Sequence, residues 1–80
     1  MSNTRLRLLV RPQCGLCEDM ASDLVRLQVP FDAVNIEDDT TLEAAFGQSI
    51  PVLFEGEREI ARAPQTRDSL KKALQRAGLL

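Results

Sequence analysis

Two cysteines three residues apart, Cys14 and Cys17, stand where an apolar run gives way to a helical pattern. That junction constrains the fold more than any other feature of the chain. Arg5-Leu6-Arg7-Leu8-Leu9-Val10 begins in alternation and ends as a continuous apolar run, which suits a strand whose end is buried on both faces. Arg11-Pro12-Gln13 breaks it. From Leu16 onward, Leu16, Met20, Leu24 and Leu27 recur at spacings of four, four and three, the stripe of an amphipathic helix. A thiol between these two elements faces a helix N-terminus, where unpaired backbone N–H groups and the helix dipole favour the thiolate. Arg11 adds a nearby cation, while Glu18 and Asp19 oppose it from the first turn. The balance predicts a moderately depressed pKa for Cys14.

The remaining pattern supplies short elements with short connections. Pro30 is expected to end the first helix, and Phe31 to Ile36 reads as a second strand. Thr40-Thr41-Leu42-Glu43 has the form of a capping box, with Thr40 as N-cap and Glu43 reaching back. The short helix it starts should stop after Phe46, with Gly47 taking a left-handed conformation. Val52-Leu53-Phe54 and Arg58-Glu59-Ile60 flank Glu55-Gly56-Glu57, a hairpin signal with Gly56 at positive φ. Thr66 should cap a last helix with the stripe Leu70, Ala73, Leu74 and Ala77, ended by Gly78. The predicted order is β-α-β-α-β-β-α in a single domain over residues 1–80.

Composition closes off many functions. The net charge is −2 with both signs interspersed, which leaves no electrostatic footprint for nucleic acid or an anionic membrane. Phe31, Phe46 and Phe54 are the only aromatics, too few for a base-stacking surface. With two cysteines and no histidine, one chain cannot supply a four-ligand zinc site of sulfur and nitrogen or a Cys–His nucleophile pair. Glu37-Asp38-Asp39 reads as a solvated loop entering a helix N-terminus rather than as a metal site, so no metal is expected. No stretch has the length of a membrane span or the form of a signal peptide, so a cytoplasmic monomer is expected. In that compartment a disulfide is more often transient than structural.

The element order, the Cys14-Gly15-Leu16-Cys17 motif after the first strand and Ile50-Pro51 before the third strand together resemble the thioredoxin fold. More narrowly, the chain resembles the small glutaredoxin-like proteins. Arg11-Pro12-Gln13-Cys14-Gly15-Leu16-Cys17 is similar to the glutaredoxin pattern of a basic residue, two variable positions and C-P-Y-C. Ser49-Ile50-Pro51-Val52 is similar to its T-V-P segment. Thioredoxin itself is a poorer match, since no tryptophan precedes the first cysteine. The resemblance implies a four-stranded mixed sheet with helices on both faces, and a cis Ile50–Pro51 bond lying against the sulfurs. The chain departs from glutaredoxins after the fourth strand. Ile60-Ala61-Arg62-Ala63-Pro64 stands where they carry a Gly-Gly pair that helps hold glutathione, and only Asp68 remains near the helix start.

Each candidate residue has a functional and a plainer reading. Cys14 is a nucleophilic thiol or a small buried hydrophobe. Cys17 either resolves a mixed disulfide by attacking the Cys14 sulfur or packs beside Ala21 in the core. Pro51 is the family's cis proline, freeing the Ile50 backbone for an extended substrate, or an ordinary strand-start proline. Arg11 binds a carboxylate or is a solvated charge; Arg62 covers the groove or attracts a glutathione carboxylate. Ser49 and Asp68 are adequately explained by capping. Together these residues imply a thiol–disulfide oxidoreductase, needing no bound cofactor. It would act on disulfide-containing proteins or small disulfides and be reduced by an external dithiol or glutathione. Two alternatives carry different chemistry: an iron–sulfur carrier sharing a cluster between two chains through Cys14 and glutathione, and a redox-inert binding module that keeps the groove.

Overall fold

The apolar run that opens the chain forms β1 (Leu6–Val10), in which Leu6 and Leu8 are buried towards one face of the sheet and Leu9 towards the other. This computed structural model describes residues 6–80; Arg5, read above as the start of the strand, lies outside the described residues. The elements that follow are α1 (Gly15–Arg26), β2 (Asp32–Asn35), a short 3₁₀ turn (Ile36–Asp38), α2 (Thr40–Phe46), β3 (Val52–Glu55), β4 (Arg58–Arg62) and α3 (Arg67–Arg76). The sheet order is β2-β1-β3-β4, with β1 and β2 parallel and the other neighbours antiparallel. The expected β-α-β-α-β-β-α order and four-stranded mixed sheet are therefore present.

Helices cover both faces of the sheet. Met20 and Leu24 of α1 and Leu70 and Leu74 of α3 pack with Leu6, Leu8, Leu53 and Ala61 into the larger core. On the opposite face Leu42 and Phe46 of α2 pack against Leu9, Ile36 and Val52. Phe46 and Phe54 meet there edge to face, with centroids 5.2 Å apart. Asp23 and Arg67 join α1 to α3 through a contact of 3.1 Å.

Several local expectations are corrected. Helix α1 stops at Arg26, four residues before Pro30, because its end closes as a Schellman motif. Gln28 N–H donates to Val25 O and Val29 N–H to Leu24 O, each at 3.0 Å, with Gln28 at φ +60°. The helix starts one residue before Leu16, which is 53% exposed in the first turn, and Cys17 takes the inward place beside Met20 and Leu24. Strand β2 is shorter than Phe31 to Ile36, since the Asn35 side chain accepts Glu37 N–H at 2.9 Å and turns the backbone into the 3₁₀ segment.

The capping box proposed at Thr40 is not formed. Asp39 is the N-cap of α2, accepting Thr41 and Leu42 N–H at 2.9 and 3.1 Å, since a carboxylate at that place also meets the helix dipole. Gly47 is right-handed, at φ −56° and ψ −28°, rather than left-handed. What it needs is space: an added Cβ would lie 2.5 Å from Glu43 O and 3.2 Å from Arg11 Nη2.

The later elements follow the sequence more closely. Gly56 has φ +60° in a hairpin turn, although Glu55 belongs to β3 and leaves only two loop residues. Ile60 is an extra residue in β4, where the register steps from Leu53 opposite Ala61 to Phe54 opposite Glu59. Thr66 caps α3 reciprocally with Ser69, and Gly78 at φ +77° follows its end.

Candidate functional site

The site is built at one end of the sheet, where β1 and β2 finish and β3 begins. Leu9 is opposite Val52, so continuing the register puts Pro51 level with Val10 and Ile50 level with Arg11. From Val10 the chain turns through Pro12 and Gln13, the latter at φ +59°, into Cys14. Cys14 is the N-cap of α1, with extended backbone at φ −112° and ψ 107°. Its Sγ accepts the Cys17 N–H at 3.1 Å, so sulfur occupies the place a Ser, Thr or Asp oxygen takes at other helix starts.

Cys14 and Cys17 are joined as a disulfide with Cα atoms 5.2 Å apart, within the ordinary range for such a bond. The two sulfurs have unequal surroundings. Cys14 is half-buried at the helix tip, whereas Cys17 is only 3% exposed and belongs to the inner face of α1. Leu16, between them, projects an apolar side chain into solvent, and Gly15 has nothing within 4 Å of where a Cβ would stand.

The Ile50–Pro51 peptide bond is cis, and Pro51 is buried with Ile50 half-buried beside it. Pro51 O accepts Ala63 N–H at 3.0 Å, tying the start of β3 to the end of β4. A second cis bond, Ala63–Pro64, follows directly. The sequence reading passed over it, and Pro64 itself was the only signal it carried. Ser49 is half-buried in the loop before Pro51, where its N–H donates to Phe46 O at 2.9 Å.

The two arginines are engaged with this protein's own acidic groups. Arg11 Nη2 donates to Glu43 Oε1 and to Gly47 O, each at 2.8 Å, and Nη1 lies 3.8 Å from Glu37. Arg11 is thus engaged by a carboxylate of this chain, through a contact across 32 residues, while its side chain stays 31% exposed. Glu43 is the residue that sequence reasoning missed here, because its capping-box spacing offered a local explanation. Arg62 makes two contacts of 2.7 Å with Glu59. That hydrogen bonding holds the Glu59 carboxyl below its ordinary range, against the opposing effect of burial, and raises Arg62. Asp68 is exposed and pairs with Lys72 at 3.2 Å. Among the described residues no group of three or more His, Cys, Asp or Glu is placed to hold a metal ion. No described helix is long and apolar enough to cross a membrane.

A mixed sheet in this order, carrying a Cys-x-x-Cys disulfide at the β1–α1 junction, defines a protein of the thioredoxin fold. The glutaredoxin-like domain family (DUF836) matches residues 5–75, and the chain belongs to it. The X-ray structure of the structural-genomics target protein XcR50 from X. campestris is 33% identical, with a TM-score of 0.81 over 89% of this chain and 96% of that one. The solution structure of Ne2328 from Nitrosomonas europaea is 26% identical, with a TM-score of 0.73 over 90% of this chain and 92% of that one. A buckwheat glutaredoxin solved with glutathione shares the fold at 20% identity, with a TM-score of 0.61 over 96% of this chain and 73% of that one. Among curated proteins none matches.

Proposed function

We propose that this protein is a thiol–disulfide oxidoreductase that reduces protein disulfides through the Cys14–Cys17 pair. The observation that carries the reading is the N-cap sulfur: Cys14 Sγ accepts the Cys17 N–H at 3.1 Å while Cys17 is buried. In the reduced state that N–H and the positive end of α1 favour a thiolate on Cys14. The Cys14 thiolate attacks one sulfur of a substrate disulfide and releases the other as a thiolate, which takes up a proton from solvent. The Cys17 thiol loses its proton and attacks the Cys14 sulfur of the mixed disulfide. This expels the second substrate thiolate and leaves Cys14–Cys17 oxidised. The substrate has gained two electrons, and an external dithiol or a pair of glutathione molecules restores the pair. The chain works as a cytoplasmic monomer without a bound cofactor.

Substrate choice follows from the surroundings of the sulfurs. Leu16 offers an apolar surface beside the disulfide, suited to a hydrophobic segment of a partner protein. The Ile50 backbone offers main-chain hydrogen bonds to an extended substrate by strand addition. Arg62, held by Glu59 at 2.7 Å, has its charge already paired, which weakens the case for its capturing a glutathione carboxylate. The test compares kcat/KM on a disulfide-bonded protein with that on a glutathionylated peptide, using one reductant. Preference for the protein is expected. A clear preference for the peptide would restore an ordinary glutaredoxin reading, and a higher rate on the peptide in Arg62→Gly would identify the side chain as the obstacle.

A further inference from the structure

The β1–β3 register brings Val10 level with Pro51, but Cys14 stands on the loop beyond the last paired residues. One side chain links the approach to Cys14 with the approach to Pro51. Arg11, three residues before Cys14, reaches with Nη2 to Glu43 Oε1 and to Gly47 O, each at 2.8 Å. Gly47 follows α2 directly and stands four residues before Pro51. We infer that Arg11 is a positioning residue. Clamped by Glu43 and Gly47, it fixes the spacing between the Cys14 loop and the Ile50–Pro51 loop, and with it the width of the substrate groove. The inference rests on the oxidoreductase reading for the groove's purpose, but the clamp itself is a matter of geometry.

Three observations distinguish a clamp from a cation aimed at the thiolate. The guanidinium charge is opposed by Glu43 at 2.8 Å and by Glu37 at 3.8 Å, which leaves little net field for a sulfur. The Glu43 side chain is 40% exposed, yet its second oxygen, Oε2, is buried and has no hydrogen-bond partner among the described residues. A carboxylate that merely decorated the surface would keep that oxygen in water. At Gly47 a Cβ would lie 3.2 Å from Arg11 Nη2 and 2.8 Å from Glu43 Oε1, so the missing side chain leaves the carbonyl open to the guanidinium. Placement of this kind matters, since a shift of about 1 Å in a reacting group can cost on the order of a hundredfold in rate.

The variants Arg11→Ala, Glu43→Ala and Glu43→Gln separate the two roles. A clamp predicts that Arg11→Ala and Glu43→Ala move together. The value of kcat/KM for a disulfide-bonded protein falls about tenfold in both. The pH dependence of Cys14 alkylation stays that of the unaltered protein. Glu43→Gln keeps an acceptor oxygen and remains near the unaltered protein. An electrostatic role predicts opposite shifts of the alkylation midpoint, upward in Arg11→Ala and downward in Glu43→Ala, and that result would overturn the clamp. Amide hydrogen exchange on the oxidised protein gives a readout that needs no turnover. The Ser49 N–H, bonded to Phe46 O at 2.9 Å, should exchange faster in Arg11→Ala and Glu43→Ala, while Leu24 and Leu74 in α1 and α3 keep their protection. Unchanged exchange at Ser49 would reject the clamp. An unaltered protein that reduces no disulfide would instead reject the oxidoreductase reading, and the exchange data would still decide the clamp.

Discussion

At the scale of single residues the two cysteines differ chiefly in exposure and in position along one helical turn. Cys14 stands at the helix tip and Cys17 is 3% exposed beneath it. Limited alkylation of the reduced protein near pH 6 should therefore label Cys14 first, as peptide mass analysis would show; preferential labelling of Cys17 would reverse the assigned roles. The Glu59–Arg62 pair makes a pH prediction. A carboxyl whose folded-state pKa is lowered adds stability above its unfolded value, and that contribution is lost as pH falls through the folded value. The two side chains are 37% and 42% exposed, so water screens the pair strongly. Melting curves of the parent and Arg62→Ala should stay within about 2 °C of each other from pH 7 down to pH 3. A gap that starts wide at neutral pH and closes in acid would mean that the pair is worth more than its exposure allows.

At the scale of elements, α1 and α3 end alike but with different residues. Leu79 N–H donates to Leu74 O at 2.8 Å after Gly78, just as Val29 N–H donates to Leu24 O at 3.0 Å after Gln28. Gln28 pays the steric cost of φ +60°, which Gly78 avoids. Replacing Gln28 by Gly should raise stability by about 0.5–1 kcal/mol in urea unfolding, after allowing for the greater freedom of glycine in the unfolded chain. A loss of stability would show that the Gln28 side chain makes a compensating contribution. The start of α1 makes a companion case. Gly15 is the first helical residue, follows an extended Cys14, and has open space around it. Proline fits all three conditions, so Gly15→Pro should stabilise the fold by about 0.4–1 kcal/mol, checked by the same unfolding curve.

At the scale of the whole molecule, the sheet separates two cores of unequal depth. Leu53, in the larger core with α1 and α3, has no exposed surface, whereas Leu42 of α2 is half-buried over the smaller one. Leu53→Ala should cost about 2–5 kcal/mol, a large part of the roughly 5–15 kcal/mol that a domain possesses. Leu42→Ala should cost clearly less, because part of its surface already faces water. Equal losses in urea titrations would mean that α2 is as integral to folding as α1 and α3. The thinner face is also the one that carries the Arg11–Glu43 contact.

Much of this architecture was legible along the chain because the forces responsible act over a few residues. Apolar spacing marked β1, α1 and α3, Thr66 and Gly78 marked the ends of the last helix, and Gly56 marked the hairpin. The Cys-x-x-Cys motif was equally local, since its N-cap bond spans three residues. Local rules failed where two of them competed. Asp39 displaced Thr40 as the cap of α2, and Gln28 closed α1 before Pro30 could. The partners of Arg11 lie 32 and 36 residues away, and Asp23 lies 44 residues from Arg67. No pattern within one element encodes such pairs, because the distance between their charges exists only once the sheet has brought the segments together. Local pattern was enough for most of the elements and for the cysteine pair; which charges meet was settled only when the sheet brought distant segments together.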